Sequence, residues 1–232
     1  MIISIHQPNY APWGGYFYKL FMSDLFIFLN DVQFSKNSFI NRTKVCSVTE
    51  NSWLTIPVKF NLGDKINNVR IAQIDWQDRH LSKINNLYRK SPYFFENWTD
   101  IELLFRSLQD DNLADINKKI ILTISSWLEI KFSYKDSSSF TNLQGLKAEE
   151  RLIDIIKKCK CDQYLSGLGA KKYQDEKKFI ASKIKLLYSD FSYIEQKSKN
   201  NLKNINFGTS ILDLIFNLGR QDTIKYIKGN FV

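Results

Sequence analysis

The chain has 232 residues, 44% of them hydrophobic, which is enough to bury the core of one sizeable domain and argues against a disordered chain. No apolar run approaches the ~20 residues of a membrane-crossing helix, so no membrane span is expected. The formal charge of +9 is carried mostly by lysine, which fits an anionic small substrate or a nucleic acid, and also a coding bias toward Lys, Asn and Ile.

Ile2, Ile3 and Ile5 predict a short buried strand that ends at Ser4-Ile5-His6-Gln7-Pro8-Asn9-Tyr10. Pro8 and Pro12 hold the following loop extended. Trp13, Phe17, Leu20 and Phe21 then share one face of a helix. The start has no basic lead and no long apolar core before a cleavage site, so it does not read as a signal peptide and a cytoplasmic protein is expected. Leu25-Phe26-Ile27-Phe28-Leu29 is an unbroken apolar run, as in a strand buried on both faces of a parallel sheet. It ends in Asn30-Asp31-Val32-Gln33-Phe34.

The stretch from about Phe34 to about Leu108 reads as an insertion. Residues 43–48 and 53–58 predict a β-hairpin about a turn at Thr49-Glu50-Asn51-Ser52, and Val69-Arg70-Ile71 a third strand added to it. Helices are expected over Asp75–Tyr88, Asp100–Leu108 and, most clearly, Asn112–Leu128, where Leu113, Ile116, Ile120, Ile124 and Trp127 form one stripe.

Ile130–Tyr134 is the next strand and leads into Ser137-Ser138-Ser139. A helix over Leu146–Cys159 follows. Cys159-Lys160-Cys161 has one intervening residue and no nearby His, so the cysteines predict reduced thiols and no metal site. Gln163-Tyr164-Leu165 is a strand running into Ser166-Gly167-Leu168-Gly169-Ala170. Tyr173–Ser182 is helical, Ile184–Tyr188 is the last strand, and Ser210–Leu218 is a helix with Ser210 as N-cap and Gly219 as stop. Five strands alternating with helices predict an open, mostly parallel α/β sheet of Rossmann-like type, one domain over residues 1–232, with residues 34–108 as an inserted cap.

In such a sheet the strand ends share one edge, where ligands bind. His6, one of two histidines, falls there with Gln7, Asn9 and Tyr10. Asp31 at the second strand end suits a metal, a ribose hydroxyl or a base, or simply caps its turn. Ser166, Gly167 and Gly169 open the next element, where glycines let the backbone approach a phosphate, and Lys171 follows. The third glycine of the dinucleotide fingerprint is absent, which excludes that NAD site. In the insertion, Arg42, Arg79 and His80 are the anion-facing candidates.

His6-Gln7-Pro8-Asn9-Tyr10 with Pro12-Trp13, Gly15-Tyr16-Phe17 with Lys19, and Asn30-Asp31-Val32-Gln33-Phe34 resemble the WbqC-like protein family. Asn41-Arg42, Trp53 to Val58, Tyr164-Leu165-Ser166-Gly167 with Tyr173, and Ser210-Ile211-Leu212-Asp213 are similar to its later blocks. The resemblance implies a place in bacterial O-antigen, lipopolysaccharide or other surface-polysaccharide loci. It also implies transfer of glycine, or another acyl group, onto an amino sugar, and brings no assigned catalytic residue. A weaker resemblance is to pantothenate synthetase and related nucleotidylyl transferases, which bind ATP through a His-x-Gly-His loop. Here Gly14-Gly15-Tyr16 stands where Gly-His would be.

Together these readings predict an acyl- or aminoacyl-transferase acting on a nucleotide-linked amino sugar. His6 and Asp31 are the catalytic candidates. Gln7, Asn9, Tyr10, Gln33, Arg42, Arg79 and His80 bind substrate, and Ser166, Gly167, Gly169 and Lys171 bind phosphate. ATP with Mg, an acyl thioester and an aminoacyl-tRNA all remain as donors. The rival readings are a non-catalytic binding or scaffolding protein and a nucleotidylyl transferase.

Overall fold

A computed structural model describes residues 1–46, 51–143, 145, 146, 148–198 and 208–230. Its centre is a five-stranded, all-parallel sheet in the order β7-β2-β1-β8-β9. The strands are β1 (Ile2–His6), β2 (Leu25–Phe28), β7 (Ser133–Asp136), β8 (Gln163–Gly167) and β9 (Lys185–Ser189). The order reverses between β1 and β8, which makes that boundary the topological switch point. The α/β reading of the sequence holds, with β7 starting three residues later than expected.

Strand β2 shows why the sheet is covered on both faces. Leu25 and Ile27 pack with Ile3, Ile5, Ile155, Ile156 and Phe179 on one side. Phe26 and Phe28 point the other way, into a larger core with Phe17, Leu20, Ile120 and Ile124. Alternate side chains of a strand face opposite ways, so an unbroken apolar run needs two cores. Each fully buried side chain of this size stabilises by roughly 1.5–3 kcal/mol. Helices α5 (Ala148–Lys158) and α6 (Glu176–Ala181) cover the first face. Helices α1 (Gly14–Phe21), α4 (Leu113–Trp127) and α8 (Ile211–Ile227) cover the second.

The apolar stripe of α4 is buried as expected, and its start is fixed by Asn112, whose side chain accepts from the amides of Ala114 and Asp115. Such a cap contributes about 1 kcal/mol. Ser210 caps α8 by accepting from Leu212 N. Gly219 interrupts α8 without ending it: its φ of 73° and ψ of 170° kink the helix, which resumes to Ile227. A Cβ there would lie 2.8 Å from a Tyr93 ring carbon, so only glycine fits both the angle and the space.

Residues 34–108 form β3 (Arg42–Cys46) and β4 (Asn51–Thr55), paired antiparallel, then β5 (Val58–Lys59) and β6 (Arg70–Ile71), and helices α2 (Trp76–Tyr88) and α3 (Phe94–Arg106). The residues expected as a third hairpin strand pair instead with β5, in a separate two-stranded ribbon. Helix α3 begins at Phe94, six residues before the expected start, because Phe94, Ile101, Leu104 and Phe105 bury one continuous face. Of the expected hairpin turn, residues 49 and 50 lie outside the described residues. Val45, Leu54, Ile56, Trp76, Ile84 and Phe105 join the same core as α1, α4 and α8, so the insertion is packed into the body of the domain. A buried carboxyl ties it to α8: Asp213 accepts from Tyr88 Oη at 2.5 Å and from Cys46 N at 3.0 Å. Burial raises Asp213 to about 7.

Candidate functional site

A cavity of about 390 Å³ opens at the switch point. β1 contributes Ile5 and His6, α1 contributes Gly15, Tyr16 and Lys19, and β8 contributes Tyr164, Ser166 and Gly167. The far wall is Ser189 at the end of β9, Phe191, and Ser192 and Glu195 of α7 (Ser192–Ser198). Its rim includes Trp13, whose ring meets Phe191 edge-on at 5.6 Å. Gly15 is needed for that placement, since a Cβ would come within 2.3 Å of the Trp13 ring.

His6 is held in one orientation and one tautomer. Its Nδ1 lies 3.0 Å from the carbonyl of Gln7, which only accepts, so Nδ1 carries the proton. Tyr16 Oη donates to the same carbonyl at 3.0 Å, and the two rings meet edge-on with centroids 4.9 Å apart. Nε2 is thereby left as a lone-pair acceptor in a residue that lines the cavity. Burial, and next to it the charge of Lys19, lower His6 to about 4, against the pull of the Gln7 carbonyl.

Lys19 is 4% exposed, and its Nζ donates to the carbonyl of Ile5 at 3.2 Å. Desolvation lowers it to about 7. On the cavity's other side, Ser166 is 1% exposed and beside Tyr164, which burial pushes up to about 12.

The remaining sequence candidates fall elsewhere. Tyr10 and His80 meet each other in the core of the inserted region: Tyr10 Oη and His80 Nδ1 are 2.7 Å apart, and His80 Nε2 faces the Thr55 carbonyl at 3.1 Å. Gln7 and Asn9 are half-buried beside the cavity but do not line it, and Gln33 is exposed on a bridge to Lys65. Arg42 lies over the Trp53 ring at 4.3 Å, and Arg79 is exposed and paired with Asp75. None of the cavity's lining residues comes from 34–108. Asp31 is engaged by Arg151 of α5 and by Ser137 Oγ, which in turn accepts from Asn30 N at 3.1 Å. That carboxylate crosslinks the ends of β2 and β7 to α5.

The Ser166-Gly167-Leu168-Gly169 stretch does not open an α-helix, contrary to the sequence expectation. It leads into a short 3-10 turn, Leu168–Lys172, and α6 starts only at Glu176 with Asp175 as its cap. The segment does not present the start of an α-helix to the cavity. Gly169 is at the rim, and Lys171 sits outside it, over the Tyr188 ring at 5.5 Å. Lys19, Tyr16 and the 189–195 wall were not among the sequence candidates. The signals for Lys19 are its place in the Gly15-Tyr16-Phe17 block of the family resemblance and next to the apolar face of a helix that follows the His6 loop. Among the described residues no group of three His, Cys, Asp or Glu side chains is placed to hold a metal, and no helix is long and apolar enough to cross a membrane.

The model of the WbqC-like protein family matches residues 7–225. The chain belongs to the WbqC-like protein family. The matched span takes in the His6 loop's end, α1 with Lys19, β8 and the 189–195 wall, hence almost every element of the cavity. The chain is also 28% identical over 230 residues to an uncharacterized protein of Mycobacterium tuberculosis, Rv1507c, covering 97% of this chain and 98% of that one. No solved structure matches it.

Proposed function

We propose that this WbqC-like protein is an enzyme that acylates the amine of a nucleotide-linked amino sugar, with glycine as the candidate acyl unit, in bacterial surface-polysaccharide synthesis. The observation that carries the enzymatic reading is His6, locked by the Gln7 carbonyl with Nε2 unprotonated in a cavity at the switch point. The amine nitrogen attacks the carbonyl carbon of an activated acyl donor. The new C–N bond forms, the bond to the leaving phosphate or thiolate breaks, and the amine's proton passes to Nε2. A base buried to about 4 is weak at neutral pH, and it takes the proton after attack has made the amine nitrogen cationic and therefore acidic. The polysaccharide context and the choice of glycine rest on the family resemblance. The positive charge of the chain suits an anionic nucleotide sugar.

The test is purified protein incubated with ATP, glycine and a panel of nucleotide-linked amino sugars, with a second arm offering acyl thioesters and aminoacyl-tRNA. Mass spectrometry should show a product heavier by one acyl unit. Sugar binding without turnover under every donor would support the scaffolding alternative instead.

A further inference from the structure

Lys19 lies on α1 among Tyr16, Phe17 and Leu20, which are all buried. A lysine that merely covers such a face runs its stem over apolar surface and returns its head to water. Lys19 does the reverse: it is 4% exposed and lines the cavity. An ammonium carries three N–H donors. Its one hydrogen bond to the described residues is to the Ile5 carbonyl, and no carboxylate among them pairs with it. An unpaired buried ammonium is costly by several kcal/mol, so the group either sheds its proton or finds an anion. The cavity is where an anion can reach it.

We propose that Lys19 anchors an oxyanion of the ligand in the β1/β8 crevice, a phosphate of a nucleotide or the carboxylate of an acyl donor, and that binding charges the amine by taking a proton from solution. This rests on the crevice being the ligand site and names the ligand's chemistry. The other titratable groups facing the cavity are His6 of β1, Tyr16 of α1 itself, Tyr164 of β8 and Glu195 of α7. Near pH 8 His6 stays neutral, because it is lowered to about 4, and both tyrosines stay protonated, because burial raises them. Lys19, lowered to about 7, is mostly neutral there and becomes an ammonium when an anion arrives. Glu195 is the carboxyl residue on the facing wall, so it needs its own control. Ser166 and Ser189 are neutral groups on the opposite wall, and the Ser192 hydroxyl there donates to Asp190.

The experiment is calorimetric titration of the full chain at pH 8 with inorganic pyrophosphate and, separately, with acetate, in buffers of differing ionisation enthalpy. Binding of at least one anion with uptake approaching one proton is expected. The anion bound more tightly distinguishes the phosphate source from the carboxylate source. Lys19→Met should weaken binding tenfold or more and abolish the uptake, Glu195→Gln should keep it, and Lys19→Arg should bind without proton exchange because its charge is permanent. Absence of binding by wild type at millimolar anion overturns the proposal, and so does proton uptake that survives in Lys19→Arg. Because no turnover is involved, anion binding by a protein that fails to acylate leaves this assignment standing and removes only the proposed reaction.

Discussion

The chain's two histidines sit in regions that resemble each other by burial and differ in what they leave free. Both are lowered to about 4, mainly by desolvation. In the inserted region His80 is satisfied on both nitrogens: Nε2 donates to the Thr55 carbonyl and Nδ1 accepts from Tyr10 Oη, with Trp76 packed edge-on. At the switch point His6 spends Nδ1 on the Gln7 carbonyl and keeps Nε2 for the cavity. A displaced pKa is therefore no mark of function by itself. What separates the two is an unspent lone pair with room in front of it.

The comparison breaks most decisively at His6. His6→Asn should lower turnover roughly 10²–10⁴-fold with the protein still folded, since general acid–base catalysis contributes about that much. Early melting with normal turnover per folded molecule would make His6 another His80. The converse substitutions act on stability. Tyr10→Phe removes the donor to His80 Nδ1, and His80→Leu leaves the Thr55 carbonyl unpaired. Each should cost about 1–3 kcal/mol, or roughly 2–4 °C in Tm per kcal/mol for a chain of this size, with anion binding at the crevice unchanged. Thermal melts beside the calorimetry check both halves.

Titration sharpens the contrast next. A histidine held neutral binds no proton in the fold between about 6.5 and 4, whereas the unfolded chain does. Its stabilising contribution is thus complete above about 6.5 and is lost as pH falls through 4. Asp213 has the opposite sign: raised to about 7, it favours the fold most below its ordinary carboxylate value and loses that contribution as pH rises through 7. The two trends offset in the wild type, so variants must separate them. His80→Leu should flatten the loss of stability from pH 6.5 to 4, and Asp213→Asn should remove the decline from pH 4 to 7, both read by denaturant unfolding across pH. The smallest effect belongs to Arg42 and Arg79. Both lie outside the cavity, Arg79 in an exposed pair of a kind worth little. Arg79→Ala together with Arg42→Ala should leave anion affinity within about twofold; a large loss would return the inserted region to the site.

The sheet was legible because its cues are periodic and local. The run at Leu25–Leu29 demands two cores, and alternation with helical segments demands parallel strands. His6 was legible because it ends the first such strand. Tyr10 was misplaced because closeness in sequence is not closeness in space: Ala11, at a φ of 35°, turns the chain, and Tyr10 N reaches the Phe39 carbonyl in the inserted region. The burial of Lys19 carried no periodic cue, since a lysine next to an apolar helical face ordinarily reaches water. The wall at Phe191–Glu195 is too short for any period to show. The insertion looked like a lid because it interrupts the α/β alternation, yet its apolar residues complete the core of α1, α4 and α8.

The Asp31–Arg151 pair constrains the history of this chain. Their side chains are only 13% and 15% exposed. Losing either partner alone strands a largely desolvated charge, a loss of about 3–5 kcal/mol, whereas replacing both by apolar residues of similar volume is close to neutral. A lineage leaving this arrangement must therefore cross a stability valley, or change both positions nearly at once. Related sequences should carry the acid and the base together or lack both, and chains with one alone should be rare and poorly folded. The salt link that fastens β2 to α5 is, over generations, a ratchet on which two distant codons turn as one.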